Sequence, residues 1–260
     1  MIEKIHNLLD SLKLKHTREV IQELLQQAQK NKPSYSSFLL DLLHQEYENK
    51  RNHTITARIK RSGLPEYWTL ETFPWNIQKC LQKHKSSILE LAELDFIDRG
   101  ESVVFIGNAG VGKSGLASGI LLKALYASRT AYCIKAQDLF DELNASIADR
   151  STKSFLKRLS RLDLLLIDEF GYAAPPNQTL TNNFFRLMDY RCNRKSTIVT
   201  TNLGFREWTN FLGNGPLVSA LLSRLLQKCR TFSINGLNLR DPSFNLPTKP
   251  SKPPIIESFQ

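Results

Sequence analysis

The sequence predicts an α/β fold: a parallel five-stranded sheet flanked by helices, preceded by a small all-helical N-terminal domain. Three observations predict it. From residue 101 onward, short apolar runs alternate with helical segments, the pattern of a parallel sheet covered on both faces. A glycine-rich GxxxxGK[ST] stretch directly follows the first of these runs and opens a helix. Residues 1–61 carry only helical periodicity.

In chain order, Ile5, Leu8, Leu9 and Leu12 recur at helical spacing. After a cap expected at Thr17, Val20, Ile21, Leu24 and Leu25 do the same. KNKPSYSS (30–37) interrupts the pattern with Pro33, and a long helix follows with Phe38, Leu39, Leu42, Leu43 and Tyr47 on one face. Residues 62–76, SGLPEYWTLETFPWN, read as a linker strapped onto the next domain, which runs over 77–240. One helix is expected at 87–96. Strands are expected at 102–106, 130–134, 162–168, 196–202 and 230–234, with helices at 113–128, 136–148, 178–194, near 205–211 and at 216–229. The last twenty residues, 241–260, hold five of the eleven prolines and read as an extended or disordered tail.

Composition narrows the function classes. The 260 residues are 41% hydrophobic and 23% charged, an ordinary globular mixture. Lys and Arg exceed Asp and Glu by 35 to 25, a net charge of +10 that suits a polyanion partner. No run of 18 apolar residues is present, so no membrane span is expected, and MIEKIHNLLD does not resemble a secretory signal. Cys80, Cys133, Cys192 and Cys229 lie far apart with no CxxC, as reduced packing thiols of a cytoplasmic protein would.

Gly107-Asn108-Ala109-Gly110-Val111-Gly112-Lys113-Ser114 sits between strand and helix, where the mechanism of phosphate binding requires it. Glycines let the backbone turn so that amide N–H groups point inward, and the helix that follows adds its positive end. Lys113 would bridge the β- and γ-phosphates of ATP, and the Ser114 hydroxyl would ligate Mg²⁺. Gly115 closes the segment. A second apolar strand, Leu164 to Ile167, ends in Asp168-Glu169. Asp168 is placed to hold Mg²⁺, and Glu169 to orient and deprotonate the attacking water. STIVTTN (196–202) forms a strand between those two, and Asn202 at its end could face the γ-phosphate and lytic water.

Several stretches together resemble the IstB-like ATP-binding proteins, AAA+ helper ATPases of insertion-sequence transposition and relatives of the helicase loader DnaC. They are ARIKRSGLPEYWTLETFPW (57–75), FIGNAGVGKSGLA (105–117), LLLIDEFGY (164–172), NNFFRLMDYRCNRKSTIVTTN (182–202) and the run from Phe205 to Leu226. The resemblance covers about residues 10 to 240. It implies a AAA+ P-loop ATPase whose site is completed by a neighbouring copy in a ring or spiral. Arg224, in SALLSRLLQ, matches the arginine that reaches that neighbour's γ-phosphate, and Arg240, in GLNLR, resembles one that contacts nucleotide within its own subunit. Five residues, at three places, depart from the family pattern. Ser114-Gly115 stands for the usual Thr-His, Ala173-Ala174 for a bulkier pair, and Ser223 for an Asp.

Two basic tracts complete the reading. Lys50, Arg51, Arg58, Lys60 and Arg61 have no acid between them, and Arg150, Lys153, Lys157, Arg158 and Arg161 precede the Asp168 strand. Neither interleaves aromatics, so contacts to the DNA backbone with little sequence preference are expected. The resemblance makes that DNA duplex and adds a transposase as partner. A DnaC-like helicase loader would share every nucleotide residue. A DNA-binding scaffold with a vestigial pocket is a further alternative, and a metabolic kinase lacks an acceptor motif.

Overall fold

The computed structural model describes residues 1–172, 175, 177–213, 215–241 and 243. The proline-rich tail expected over 241–260 lies outside them, apart from Asp241 and Ser243, as do Ala173 and Ala174. The chain forms two compact units, one of residues 1–57 and one beginning at Arg58.

The first unit holds α1 (Ile2–Ser11), α2 (Lys15–Asn31) and most of α3 (Tyr35–Lys60). Leu9 and Ile21 are buried in it. Thr17 does not cap α2, which starts two residues earlier. Its amide and hydroxyl both donate to the Glu46 carboxylate, at 2.8 and 2.9 Å, so its role is a buried tie to α3. Leu39, Leu43 and Tyr47 share a face of α3, as their spacing predicts, and all three are exposed.

The second unit opens with a strap, residues 61–78, and then α4 (Lys85–Glu90) and α5 (Asp95–Asp98). Sequence periodicity suggested one helix over 87–96. Leu94 breaks it by taking φ +67°, a left-handed conformation that no helix continues through. Five strands follow: β1 (Ser102–Gly107), β2 (Ala131–Lys135), β3 (Leu164–Phe170), β4 (Ser196–Thr201) and β5 (Cys229–Ile234). Between them run α6 (Lys113–Tyr126), α7 (Ala136–Ala148), α8 (Thr152–Arg161), α9 (Gln178–Arg191), α10 (Trp208–Leu212) and α11 (Gly215–Gln227). The strands pair in parallel in the order β2-β3-β4-β1-β5. The expected five-stranded parallel sheet is present, and β4 lies between β1, which leads to the glycine-rich loop, and β3, which carries Asp168-Glu169.

Burial explains the strand compositions. Val103, Val104, Leu164, Leu165, Leu166, Ile167 and Ile198 are fully covered, and each apolar side chain so buried contributes about 1.5–3 kcal/mol. Helix α8 has no counterpart among the expected elements. Its charged residues masked Phe155, Leu156 and Leu159, which are buried on one side of it. At the far end of β3, Phe170 is fully buried against Phe184, Trp208 and Phe211, with ring centroids 5.5, 4.5 and 5.0 Å away. That cluster fixes the end of β3 immediately after Asp168-Glu169.

Candidate nucleotide site

The loop from Gly107 to Gly112 leaves β1 and turns into α6. Gly110 and Gly112 take φ +79° and +96°, values that a side chain disfavours. Space matters as well, since a Cβ on Gly110 would lie 1.7 Å from the Asn238 carboxamide oxygen. The segment after β5 thus closes over the loop, and the Leu239 amide donates to the Gly110 carbonyl at 2.8 Å. Lys113 is folded back on the loop, with Nζ donating to the Gly107 and Asn108 carbonyls at 2.9 and 2.8 Å. Burial pulls its pKa down, Asp168 and Glu169 act in the opposite sense, and Arg240 adds to the lowering. Among the described residues its hydrogen bonds go to carbonyls, with the Asp168 and Glu169 charges close enough to act on it.

Asp168 and Ser114 meet across the cleft. Ser114 Oγ donates to Asp168 Oδ1 at 2.8 Å. The Thr200 hydroxyl donates to the same oxygen and accepts from the Glu169 amide at 3.0 Å. This second contact follows from a bulge. The β3–β4 register passes from Ile167 opposite Val199 to Phe170 opposite Thr201, so β3 carries one extra residue. Glu169 absorbs it with φ +58°. Bulges beside functional sites re-aim side chains, and a left-handed non-glycine residue costs on the order of 1–3 kcal/mol. Asp168 is left buried, while the Glu169 side chain is 39% exposed and paired to Lys135 Nζ at 3.1 Å.

These groups line one cleft of about 530 Å³, together with Trp68, Phe73, Tyr172, Leu239 and Arg240. The expected Ala109, Gly110, Gly112, Lys113, Ser114 and Gly115 line it, as do Asp168, Glu169 and Arg240. Gly107, Asn108 and Val111 shape the loop behind them. Asn202 is not part of the lining. It is exposed at the end of β4, with its carboxamide oxygen beside Gly171. Arg224 lies on α11, half-exposed and ion-paired with Asp189 of α9. Thr200 and Lys135 escaped sequence reasoning. A threonine inside a strand reads as β-propensity, and only the register with β3 shows what its hydroxyl touches.

The fit to a magnesium nucleotide can be judged from the donor set. Among the described residues no group of three or more His, Cys, Asp or Glu could hold a metal. A cation at Ser114 and Asp168 would therefore take its remaining ligands from water and phosphate, which is how Mg²⁺ is ordinarily held beside a triphosphate. The amides at the start of α6 and the Lys113 ammonium supply the matching positive field. The residues present fit the group.

The basic tracts differ in how free they are. Lys50 pairs with Glu46 at 3.4 Å, Arg51 with Glu48 at 3.5 Å, and Arg58 donates to the Ser128 carbonyl at 2.5 Å. Lys60 and Arg61 are exposed. On α8, Arg158 pairs with Glu142 at 3.1 Å and covers the Phe155 ring. Lys153, Lys157 and Arg161 recur every four residues along α8, exposed and without an ion-pair partner among the described residues, and exposed Arg150 precedes them. Among the described residues no helix is long and apolar enough to cross a membrane.

Comparison with known proteins agrees with this geometry. A family model described as IstB-like ATP binding protein matches residues 7–243. An insertion sequence IS21 protein of Pseudomonas aeruginosa, named as ATP-binding, is 33% identical over 239 residues, covering 92% of this chain and 89% of that protein. Its counterpart from insertion sequence IS5376 of Geobacillus stearothermophilus is 32% identical over 241 residues, covering 92% and 94%. The crystal structure of the DnaC helicase loader superposes with a TM-score of 0.55 at 23% identity, over 65% of this chain and 98% of that one. DnaA bound to AMPPCP and single-stranded DNA gives 0.55 at 17%, over 66% and 50%. Those two likenesses are of fold, the AAA+ P-loop arrangement. The chain belongs to the IstB-like ATP-binding family, with relatives named as insertion-sequence ATP-binding proteins.

Proposed function

We propose that this protein is a Mg²⁺-dependent ATPase that assembles on duplex DNA, completes its active sites between copies, and assists a transposase. The observation that carries the reading is the bond from Ser114 Oγ to Asp168 Oδ1, which joins the phosphate loop to the acidic strand end within one cleft.

Lys113 and the α6 amides bind and orient the triphosphate. Mg²⁺ on Ser114 and Asp168 would offset charge on the transferring phosphoryl group. Glu169, once released from Lys135, takes a proton from the attacking water, the task of a positioned general base. Asn202 positions that water after a small movement of the β4 end. Arg240 meets the phosphates from within the subunit. Arg224 does not line its own cleft, and Asp189 holds it on the α9–α11 surface, where a second copy could receive it. A guanidinium entering from outside couples turnover to assembly. The names of the sequence relatives support the transposition role, and the lysines of α8 together with the net charge of +10 support the DNA.

The test is ATP turnover against protein concentration, with and without duplex DNA, for wild type and Arg224→Ala. Turnover per subunit should rise with concentration and with DNA. Arg224→Ala should lose about 10³-fold or more, the scale of an arginine supplied in trans. It should recover when mixed with Glu169→Gln, which keeps its own arginine. Full activity in a strictly monomeric preparation would defeat the inter-subunit part.

A further inference from the structure

The strap crosses α6 on glycines. Gly115 and Gly119 are one helical turn apart and face the same way. A Cβ added to Gly119 would lie 3.2 Å from the Leu70 amide nitrogen and 3.3 Å from the Thr69 carbonyl carbon, so the strap backbone lies in the groove there. At Gly115 the neighbour is Trp68, with three indole atoms 3.7, 3.8 and 3.9 Å from where a Cβ would be. Glu71 pairs with Lys123 at 3.1 Å one turn further along. Gln78 ties the strap's end to the Val111 carbonyl at 3.2 Å. The strap is thus fixed to the phosphate loop and its helix at several points.

Strap residues supply much of the apolar lining of the cleft: Pro65, Trp68, Phe73 and Pro74. A nucleoside triphosphate needs one polar and one apolar partner surface. The loop, Asp168, Glu169 and Thr200 are the first, and the strap supplies the second. Phe73 is buried, pressed on Gly112 and edge-on to Trp75 with ring centroids 4.9 Å apart. Trp68 is different. It is half-buried, lines the cleft, and its indole N–H donates to the Glu66 carboxylate at 2.7 Å, which sets the orientation of the ring.

We propose that Trp68 is the base platform of this site: its indole stacks on the nucleobase of the bound nucleoside triphosphate, in space kept open by Gly115. The inference rests on the nucleotide reading above and adds the residue that holds the base. Gly115 lies in the first turn of α6, beside the amides that would seat the phosphates, and Trp68 is the aromatic group that covers this glycine within the same cleft. Any base offers a π-face, so the platform strengthens binding without choosing strongly among bases. A long side chain at position 115 would occupy the same space and displace the ring.

Calorimetric titration with Mg-ATP and, separately, with Mg-tripolyphosphate tests this in wild type, Trp68→Ala and Trp68→Phe, with thermal melts as a check on folding. Trp68→Ala should weaken ATP binding about tenfold or more, the usual cost of removing an aromatic stack, and tripolyphosphate binding less than about twofold. Trp68→Phe should retain most of the ATP affinity. Should Trp68→Ala fail to fold, the tryptophan emission of wild type must change on ATP addition and that change must vanish in Trp68→Phe, because Trp75 and Trp208 are buried. Equal losses for both ligands, no loss for ATP, or an emission change that survives in Trp68→Phe would overturn the proposal. Wild type that binds neither ligand is a different failure. It removes the nucleotide reading itself, and shows before any variant is made.

Discussion

Lys135 Nζ lies 3.1 Å from Glu169 Oε2, so the residue that ends β2 holds the acid proposed as general base. The hydrogen bond to Glu169 is the main reason that the Lys135 pKa is raised. The two side chains of the pair are 50% and 39% exposed, which places it among ion pairs worth about 0.2–1 kcal/mol. Lys135→Ala should accordingly raise ATP turnover without DNA by no more than about fivefold, because releasing Glu169 costs no more than the pair is worth. A fall of more than about tenfold in single-turnover assays would instead give Lys135 a part in the chemistry.

Glu169→Gln separates binding from turnover. The amide keeps the shape of the side chain and loses the proton acceptor, so Mg-ATP affinity should stay within about threefold while turnover falls by about 10²–10⁴. Equilibrium titration and a phosphate-release assay on the same preparation check both halves. Unchanged turnover would favour a DNA-binding scaffold with a vestigial pocket.

The two basic tracts should not contribute equally to DNA binding. Replacing Lys153, Lys157 and Arg161 together should flatten the plot of log affinity against log salt by about 2–3, near 0.9 for each phosphate that is no longer neutralised. Replacing Lys50 and Arg51, already engaged by Glu46 and Glu48, should change the slope by less than about 1. Fluorescence anisotropy with duplexes of two unrelated sequences over a salt series reads both slopes. A larger effect from Lys50 and Arg51 would move the DNA-binding face to α3.

Much of the site was legible because it is local in sequence. The phosphate loop and the acidic strand end each occupy consecutive residues, and their strand and helix contexts repeat the backbone geometry that they need. What was not legible depends on partners distant in sequence. The Thr200 hydroxyl matters because a bulge in β3 brings Asp168 and Glu169 to it. Lys135 lies one residue past the strand expected at 130–134, and its partner Glu169 is on a different strand. Thr17 had the chemistry of a cap, yet its partner Glu46 is 29 positions away. In α8 and near Leu94, periodicity failed for local reasons: a charge run that hid a narrow apolar stripe, and a left-handed residue that broke one helix into pieces.

Asp163 gives the fold a pH dependence. It accepts from the Thr130 amide and hydroxyl at 2.9 and 2.7 Å and from Lys195 at 2.6 Å, tying together the starts of three strands. Burial alone would raise its pKa, but the bonds from Lys195 and Thr130 outweigh this and bring it down to about 2. A depressed carboxyl stabilises above its unfolded pKa of about 3.9, and that contribution is lost as pH falls toward 2. Partial exposure limits it to about 1 kcal/mol. Urea unfolding of wild type and Asp163→Asn should differ by about that amount at pH 7 and converge near pH 2. A constant difference over this range would remove the carboxylate from the explanation.

Isothermal titration of Mg-ATP into wild type and Lys113→Ala measures directly whether a triphosphate is held between Lys113-Ser114 and Asp168-Glu169. Saturable binding of one ATP per chain, absent in Lys113→Ala although that variant melts as wild type does, is the predicted result. Equal affinity in the two proteins, or no heat of binding in either, would contradict it.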